Sequence, residues 1–189
     1  MNHRYLQKFQ IKDVVFLAIM SAVALATCAV MPLVISLQPL IFGISQLVTA
    51  LQIGVFFAIG LYKVRKPGSL LIMALMMGLI QLMMSPPMFL SSVLNGVLIE
   101  LIVLLLFRGY EKDAAVFVAA MLHTPLSLPF NYLYNLLVKG TDSPLAAVAD
   151  RAPLAAVGMT LAVVAVSALG ALIGIKIARE LKKSGVLKK

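Results

Sequence analysis

The chain has 189 residues, of which 62% are hydrophobic and only 12% are charged. A water-soluble domain cannot bury that much apolar surface, so the composition excludes a soluble protein and predicts an integral membrane protein. The single cysteine, Cys28, excludes an internal disulfide and a cysteine-based metal cage.

Apolar stretches along the chain predict an all-α bundle of six transmembrane helices in a single domain, residues 1–189. A short amphipathic lead-in, residues 1–12, precedes them at the membrane surface. Charged turns and proline-containing segments separate the apolar stretches. The predicted spans are about 13–34, 40–62, 69–84, 88–107, 114–138 and 153–178.

Positive charge is concentrated in alternate connections between the spans. The amino terminus, the 63–66 turn, the 108–112 turn and the carboxyl tail hold fourteen of the 16 Lys and Arg residues. This alternation predicts that both termini are cytoplasmic. The net charge of +9 then reflects topology and contact with anionic membrane lipid, and it gives no reason to expect nucleic acid as a partner.

The first predicted span carries small residues at every fourth position. Ala18, Ala22 and Ala26 therefore share one stripe of a helix. In lipid, such a stripe lets the backbone of another helix approach closely. We expect it to serve either internal packing or the docking of a partner helix.

Two ionisable residues fall inside predicted spans, where they are costly to bury and are candidate functional residues. Glu100 lies about 12 residues from the outer end of span four, and His123 lies about 10 residues from the inner end of span five, so both reach the middle of the membrane. Because these spans are antiparallel neighbours, we expect the two side chains to form a buried pair. Such a pair would act either as an internal clamp or as part of a ligand site.

The outer half of span five is rich in amide and phenol groups. Pro125 and Pro129 bend this helix and free backbone carbonyls. Amides and phenols around an apolar cavity suit a neutral, flat, partly aromatic small molecule. Aromatic anchoring at the membrane surface and helix–helix hydrogen bonds are the alternative roles of these groups. The candidate ligand-binding residues at the outer level are Asn131, Tyr132, Tyr134, Asn135, Asn95 and Gln38. His123, deeper in span five, is a further candidate.

The long connection 139–152 contains Gly140 and Pro144 and is a candidate lid over this site. No Gly-rich phosphate loop, His/Cys cluster or Ser/His/Asp arrangement is visible in the sequence. We therefore expect no enzymatic activity, no metal and no cofactor.

In layout, the chain resembles the substrate-binding S component of an energy-coupling factor (ECF) transporter. The likeness lies in six predicted spans, two cytoplasmic ends and the small-residue stripe on the first span. In that family an Ala-xxx-Ala motif on the first helix docks onto the transmembrane coupling subunit. The resemblance assigns this role to Ala18 and Ala22, with Ala26 extending the motif.

The segments Arg65-Lys66-Pro67-Gly68, Ser85-Pro86-Pro87 and Asn95 to Glu100 further resemble the hydroxymethylpyrimidine/thiamin-type subgroup. The resemblance implies a non-catalytic subunit of the bacterial plasma membrane that captures a vitamin-like micronutrient outside. Its implied partners are the coupling subunit and two ATPase subunits.

Other functions stay open at this point. A self-contained transporter or channel is one alternative, although the sequence shows no inverted repeat and no series of charged lining residues. His123 and the eleven Met residues leave a tetrapyrrole ligand such as haem or cobalamin open. An intramembrane enzyme, with Glu100 and His123 as acid and base, or a structural assembly subunit is the third alternative.

Overall fold

The computed structural model describes residues 8–28, 33–34, 36–37, 40–140 and 152–187. This part of the chain contains α-helices and no strand, which confirms the prediction of an all-α protein. The helices are α1 (Ile11–Thr27), α2 (Ile44–Lys63), α3 (Ser69–Leu82), α4 (Pro86–Phe107), α5 (Asp113–Lys139) and α6 (Pro153–Lys183).

The largest difference from the predicted boundaries is in α1. It ends at Thr27, whereas the sequence predicted a span to about residue 34. The amide of Cys28 donates to the Leu25 carbonyl oxygen at 3.0 Å, a tight turn that ends the helix. At the other end, α6 continues to Lys183, five residues beyond the predicted limit of 178, and its last turn carries an ion pair between Lys183 and Glu180 at 2.7 Å.

Among the described residues, four helices are long and apolar enough to cross a membrane: α2, α4, α5 and α6. The other two are shorter, with 17 residues in α1 and 14 residues in α3. At 1.5 Å per residue, α3 is about 21 Å long, less than a typical hydrocarbon core. The expectation of six full spans, with both ends in the cytoplasm, therefore stays a prediction.

Helix α2 lies at the centre of the bundle and contacts α1, α3, α5 and α6. Its approach to α6 is close because glycines face it. A Cβ added at Gly170 would overlap the carbonyl oxygen of Leu51, and one at Gly174 would lie 2.8 Å from Ala58 Cβ. Small residues that bring two backbones together are a common basis of helix association in lipid.

The bundle buries several polar side chains within its apolar core and exposes large apolar side chains at its surface. Buried positions include Ser21, Asn95 and Ser167, whereas Leu105 is 81% exposed and Leu154 is 88% exposed. Large apolar side chains in this position would be unfavourable in water but are stable against lipid. The fold thus supports the assignment to the membrane that composition predicted.

Ion pairs gather the basic connections at one end of the bundle, which we call the basic end. Lys66 in the α2–α3 turn pairs with Asp13 at the start of α1 at 2.7 Å. Asp113, the first residue of α5, accepts from Arg65 at 2.5 Å and from Arg179 near the end of α6 at 2.6 Å. Four segments distant in sequence therefore meet at this end.

Candidate functional site

A cavity of about 260 Å³ opens between four helices at the end of the bundle opposite the basic end. We call it the polar cavity. It lies among the first half of α2, the second half of α3, the first half of α4 and the part of α5 from His123 onward. The lining residues from α2 and α3 are Ser45, Gln46, Thr49, Ile53, Met77 and Gln81. The α3–α4 connection and α4 contribute Ser85, Pro87, Met88, Ser91, Ser92 and Asn95, and α5 contributes His123, Thr124, Ser127, Asn131, Tyr134 and Asn135.

Most of the predicted ligand-binding residues meet in this cavity. Asn131, Tyr134 and Asn135 line it from α5, since positions three and four apart share one helix face. Asn95 and His123 line its deeper part. Tyr132, one residue past Asn131 and so turned away by about 100°, does not line the cavity. Gln38 lies outside the described residues.

The candidate lid cannot be compared with the structure, because residues 141–151 lie outside the described part of the chain.

Hydroxyl groups also line the cavity, although the sequence analysis named no Ser or Thr among the candidate ligand-binding residues. Ser45 and Thr49 line it from α2, and Ser91 and Ser92 line it from α4. Thr124 and Ser127 continue the stripe of α5 towards Asn131. A polar stripe at three- and four-residue spacing in an otherwise apolar helix is the signal that would have found them.

The described lining of the polar cavity contains no Asp, Glu, Lys or Arg. The lining instead offers amides, hydroxyls, one imidazole and one phenol beside apolar groups such as Ile53 and Met77. A charged ligand would lose its hydration here without gaining an opposite charge. This lining therefore favours a neutral ligand with several hydrogen-bonding groups.

Several polar atoms around the deep part of the cavity are buried without a hydrogen-bond partner among the described residues. They are Oδ1 of Asn95, both ring nitrogens of His123 and Oγ1 of Thr124. An unsatisfied buried polar group costs about 1–3 kcal/mol. These atoms therefore mark a place where a bound molecule would supply missing hydrogen bonds.

The surroundings of His123 hold its ring in place without using its nitrogens. The ring packs edge to face on Phe57, with centroids 4.5 Å apart. The Asn95 side-chain amide donates to the His123 backbone carbonyl oxygen at 3.4 Å, which links α4 to α5. A neutral imidazole offers one donor and one acceptor, so His123 can present both to a ligand.

The prolines of α5 explain a contact with α6. Pro125 has no N–H, so the Met121 carbonyl oxygen lacks its usual partner four residues on. The hydroxyl of Ser167 in α6 donates to that oxygen at 2.7 Å. A free carbonyl in the membrane must find such a partner, and this bond fixes α5 where it begins to line the cavity.

The predicted pair of Glu100 and His123 is wrong. Glu100 Oε1 accepts from the Gly68 amide at 2.6 Å, and Oε2 accepts from the Tyr110 hydroxyl at 2.9 Å. Gly68 is the N-cap of α3, so the carboxylate caps a helix amino terminus, where unpaired N–H groups favour an anion. Glu100 thus serves the basic end of the bundle and not the polar cavity.

Tyr110 completes this cap from the α4–α5 turn. Its side chain is fully buried, and burial together with the neighbouring Glu100 raises the pKa of the phenol well above its usual value near 10. The phenol therefore stays protonated and donates to Glu100. This arrangement supports a structural role for both residues.

The alanine stripe lies mostly on the outward side of α1. Ala22 and Ala26 are exposed and Ala18 is half-buried, whereas Leu17, Ser21 and Ala24 face the bundle. Ser21 anchors the inward side, since its hydroxyl donates to the Met73 carbonyl oxygen of α3 at 3.1 Å. The outward side is therefore exposed at Ala22 and Ala26 within the described part of the chain.

The described residues contain no group of three or more His, Cys, Asp or Glu side chains that could hold a metal ion.

The fold matches that of a solved membrane transport subunit. A crystal structure described as an S-component of an ECF transporter aligns with this chain at a TM-score of 0.64 and 22% sequence identity, covering 95% of this chain and 89% of that one. The shared fold and the apolar helices define the protein as a multi-pass membrane protein of bacteria.

The family is given by sequence. A family model described as "Hypothetical bacterial integral membrane protein (Trep_Strep)" matches residues 11–183, and the chain belongs to this family. No curated protein matches the chain.

Proposed function

We propose that this protein is the substrate-capture subunit of an ECF-type importer. In this role it binds a vitamin-like micronutrient at the extracellular half of the membrane. It then delivers the ligand through association with a transmembrane coupling subunit and two ATPase subunits. The protein itself has no catalytic role. The basic end faces the cytoplasm, following the excess of positive charge there.

The polar cavity is the observation that carries this proposal. It lies at the end away from the basic end, which is the extracellular side in this orientation. It collects amides and hydroxyls from four helices and surrounds buried atoms that have no partner in the described structure. Such a convergence of polar groups in a mostly apolar bundle is typical of a ligand site.

The cavity also restricts the ligand. Its volume of about 260 Å³ lies just below the range of roughly 300–1,000 Å³ that is common for drug-sized ligands. This favours a compact molecule over a tetrapyrrole such as haem or cobalamin. Within the subgroup that the sequence resembles, the uncharged lining suits a neutral pyrimidine better than a cationic thiamin.

Docking to the coupling subunit is assigned to the outward stripe of α1. Ala22 and Ala26 present small side chains to the membrane, so a partner helix can approach closely. The tetrapyrrole and thiamin alternatives concern the ligand only and leave this docking role unchanged.

A self-contained transporter or channel is less well supported, because the bundle beneath the cavity is filled. Side chains with 0% exposure there include Phe57, Leu61, Met73, Ile99, Val103 and Val116. A solute crossing on its own would need these side chains to move apart.

Partner dependence tests the proposal directly. Affinity purification of the tagged chain from membranes of its own host should retain a transmembrane coupling subunit and two ATPase subunits. Proteoliposomes of that complex should accumulate the ligand only when ATP is supplied to the ATPase subunits. The chain alone should bind the ligand but not transport it. Accumulation by the chain alone would favour the self-contained transporter.

A further inference from the structure

A second cavity, distinct from the polar cavity, lies at the basic end. We call it the basic cleft, and its volume is about 640 Å³. Its walls come from the start of α1, the end of α2 with the following turn, and the end of α6 with the residues after it. Three segments that are far apart in sequence therefore enclose it.

The basic cleft is strongly cationic. Its lining holds one carboxylate, Asp13, against five basic side chains, which are Lys12, Lys63, Arg65, Lys66 and Lys182. Two of the five have an acidic partner, since Lys66 pairs with Asp13 at 2.7 Å and Arg65 shares Asp113 with Arg179, at 2.5 Å and 2.6 Å. Lys12, Lys63 and Lys182 have no ion pair within the described part of the chain.

The Tyr62 ring contacts two of these basic side chains, Arg65 and Lys182. The Arg65 guanidinium lies over its ring at 4.1 Å from the centroid, and the Lys182 ammonium lies over it at 5.9 Å. The ring thus holds two cations from α6 and the α2–α3 turn near one another. Like charges held together in this way favour an anion between them.

The cleft also has an apolar wall. Phe16, Val186 and Leu187 line it, and on the neighbouring surface of α1 Ile11 is 85% exposed and Val15 is 50% exposed. Cations and apolar groups therefore meet where the apolar surface of the bundle gives way to its charged end. This is the level at which lipid headgroups lie in a membrane.

We infer that the basic cleft binds the phosphate headgroup of an anionic phospholipid in the cytoplasmic leaflet. Lys12, Lys63 and Lys182 surround the phosphate, and the acyl chains leave the cleft along Phe16 and the exposed face of α1. A free phosphate compound would satisfy the cations but not the apolar wall. Because the three lysines belong to three segments, the bound lipid ties α1 to α2 and α6.

The test uses the purified full chain in a zwitterionic detergent, titrated with phosphatidylglycerol or phosphatidylcholine, with bound lipid counted by native mass spectrometry. The Lys63→Gln, Lys182→Gln double variant removes two unpaired cleft cations. The Lys112→Gln, Lys176→Gln double variant is the matched control, because it removes the same charge from exposed positions outside the cleft. Each basic residue near an anionic lipid contributes about fivefold in affinity.

The expected result is one tightly held phosphatidylglycerol per chain, with affinity about tenfold to thirtyfold lower in the cleft variant and little changed in the control. Phosphatidylcholine should bind weakly to all three proteins.

Equal losses in both variants would show general charge attraction and overturn the inference. Inorganic phosphate or glycerophosphoglycerol competing as well as the intact lipid would identify a site for a soluble phosphate compound and also overturn it. The experiment needs no partner subunit, so its outcome is independent of the proposed transport function.

Discussion

At the scale of single residues, some buried hydroxyl groups make hydrogen bonds that stabilise the fold, and others have no partner in the described structure and are candidates to bind a ligand. Ser167 Oγ donates to the Met121 carbonyl oxygen at 2.7 Å, a bond that replaces the one Pro125 removes. Thr124 Oγ1 is buried without a partner in the described structure, although its residue lines the polar cavity. The two hydroxyls should therefore respond differently to removal.

Thr124→Val should weaken ligand binding while leaving thermal stability unchanged or slightly higher, because Val has nearly the same shape and no unsatisfied hydroxyl. Loss of one hydrogen bond of about 0.5–1.5 kcal/mol corresponds to a two- to tenfold rise in Kd. Ser167→Ala should do the reverse, with stability lower by about 1 kcal/mol and binding retained. Titration calorimetry and thermal unfolding in detergent measure both effects. Destabilisation by Thr124→Val with unchanged binding would contradict this division.

Glu100 should couple energetically to Tyr110 and not to His123. The Tyr110 hydroxyl donates to the Glu100 carboxylate at 2.9 Å, whereas Glu100 and His123 share no hydrogen-bond partner in the described structure. In thermal-unfolding cycles, Glu100→Gln and Tyr110→Phe should be non-additive by at least about 0.5 kcal/mol. Glu100→Gln and His123→Gln should add. Non-additivity in the second cycle alone would restore the pairing expected from sequence.

At the scale of helices, glycine decides how closely α2 and α6 pack. A Cβ at Gly174 would lie 2.9 Å from the Val55 Cα and 2.8 Å from Ala58 Cβ, so the backbone of α2 would have to move. Gly158, in the same helix, has no atom within 4 Å of the added Cβ. Gly174→Ala should lower stability by about 1–3 kcal/mol or prevent folding, and Gly158→Ala should be neutral or slightly stabilising. Equal unfolding temperatures for the two variants would refute this packing.

The outward stripe of α1 gives a prediction about uptake. Ala22→Leu adds bulk at an exposed position of α1, so the chain alone should fold and bind ligand normally. Uptake by the complete transporter should fall strongly if a coupling helix packs there. Ala165→Leu, at an exposed position in the middle of α6, is the control for bulk in lipid. Normal uptake with Ala22→Leu, or equal loss with Ala165→Leu, would count against docking at the stripe.

At the scale of the whole molecule, much of the fold could be predicted because apolar length and charge alternation are properties of the sequence itself. Asn131, Tyr134 and Asn135 were predicted because helical spacing places them on one face. The hydroxyl residues of α2 and α4 were missed, because Ser and Thr hydroxyls in helices commonly donate to a backbone carbonyl oxygen of the same helix. The Thr49 hydroxyl, for example, donates to the Ser45 carbonyl oxygen at 2.9 Å. The role of Glu100 was misassigned because its partner is the start of α3, a neighbour that helix depth alone does not identify.

The central claim, that the polar cavity holds a neutral micronutrient, is tested most directly by mass spectrometry of small molecules that co-purify with the detergent-solubilised protein. Ser91→Phe fills the cavity from α4 and provides the comparison. The account predicts one compact, uncharged ligand per chain in the unmodified protein and its loss in the filled variant, with both proteins equally folded. A ligand retained equally by both proteins, or one that is strongly charged, would contradict the account.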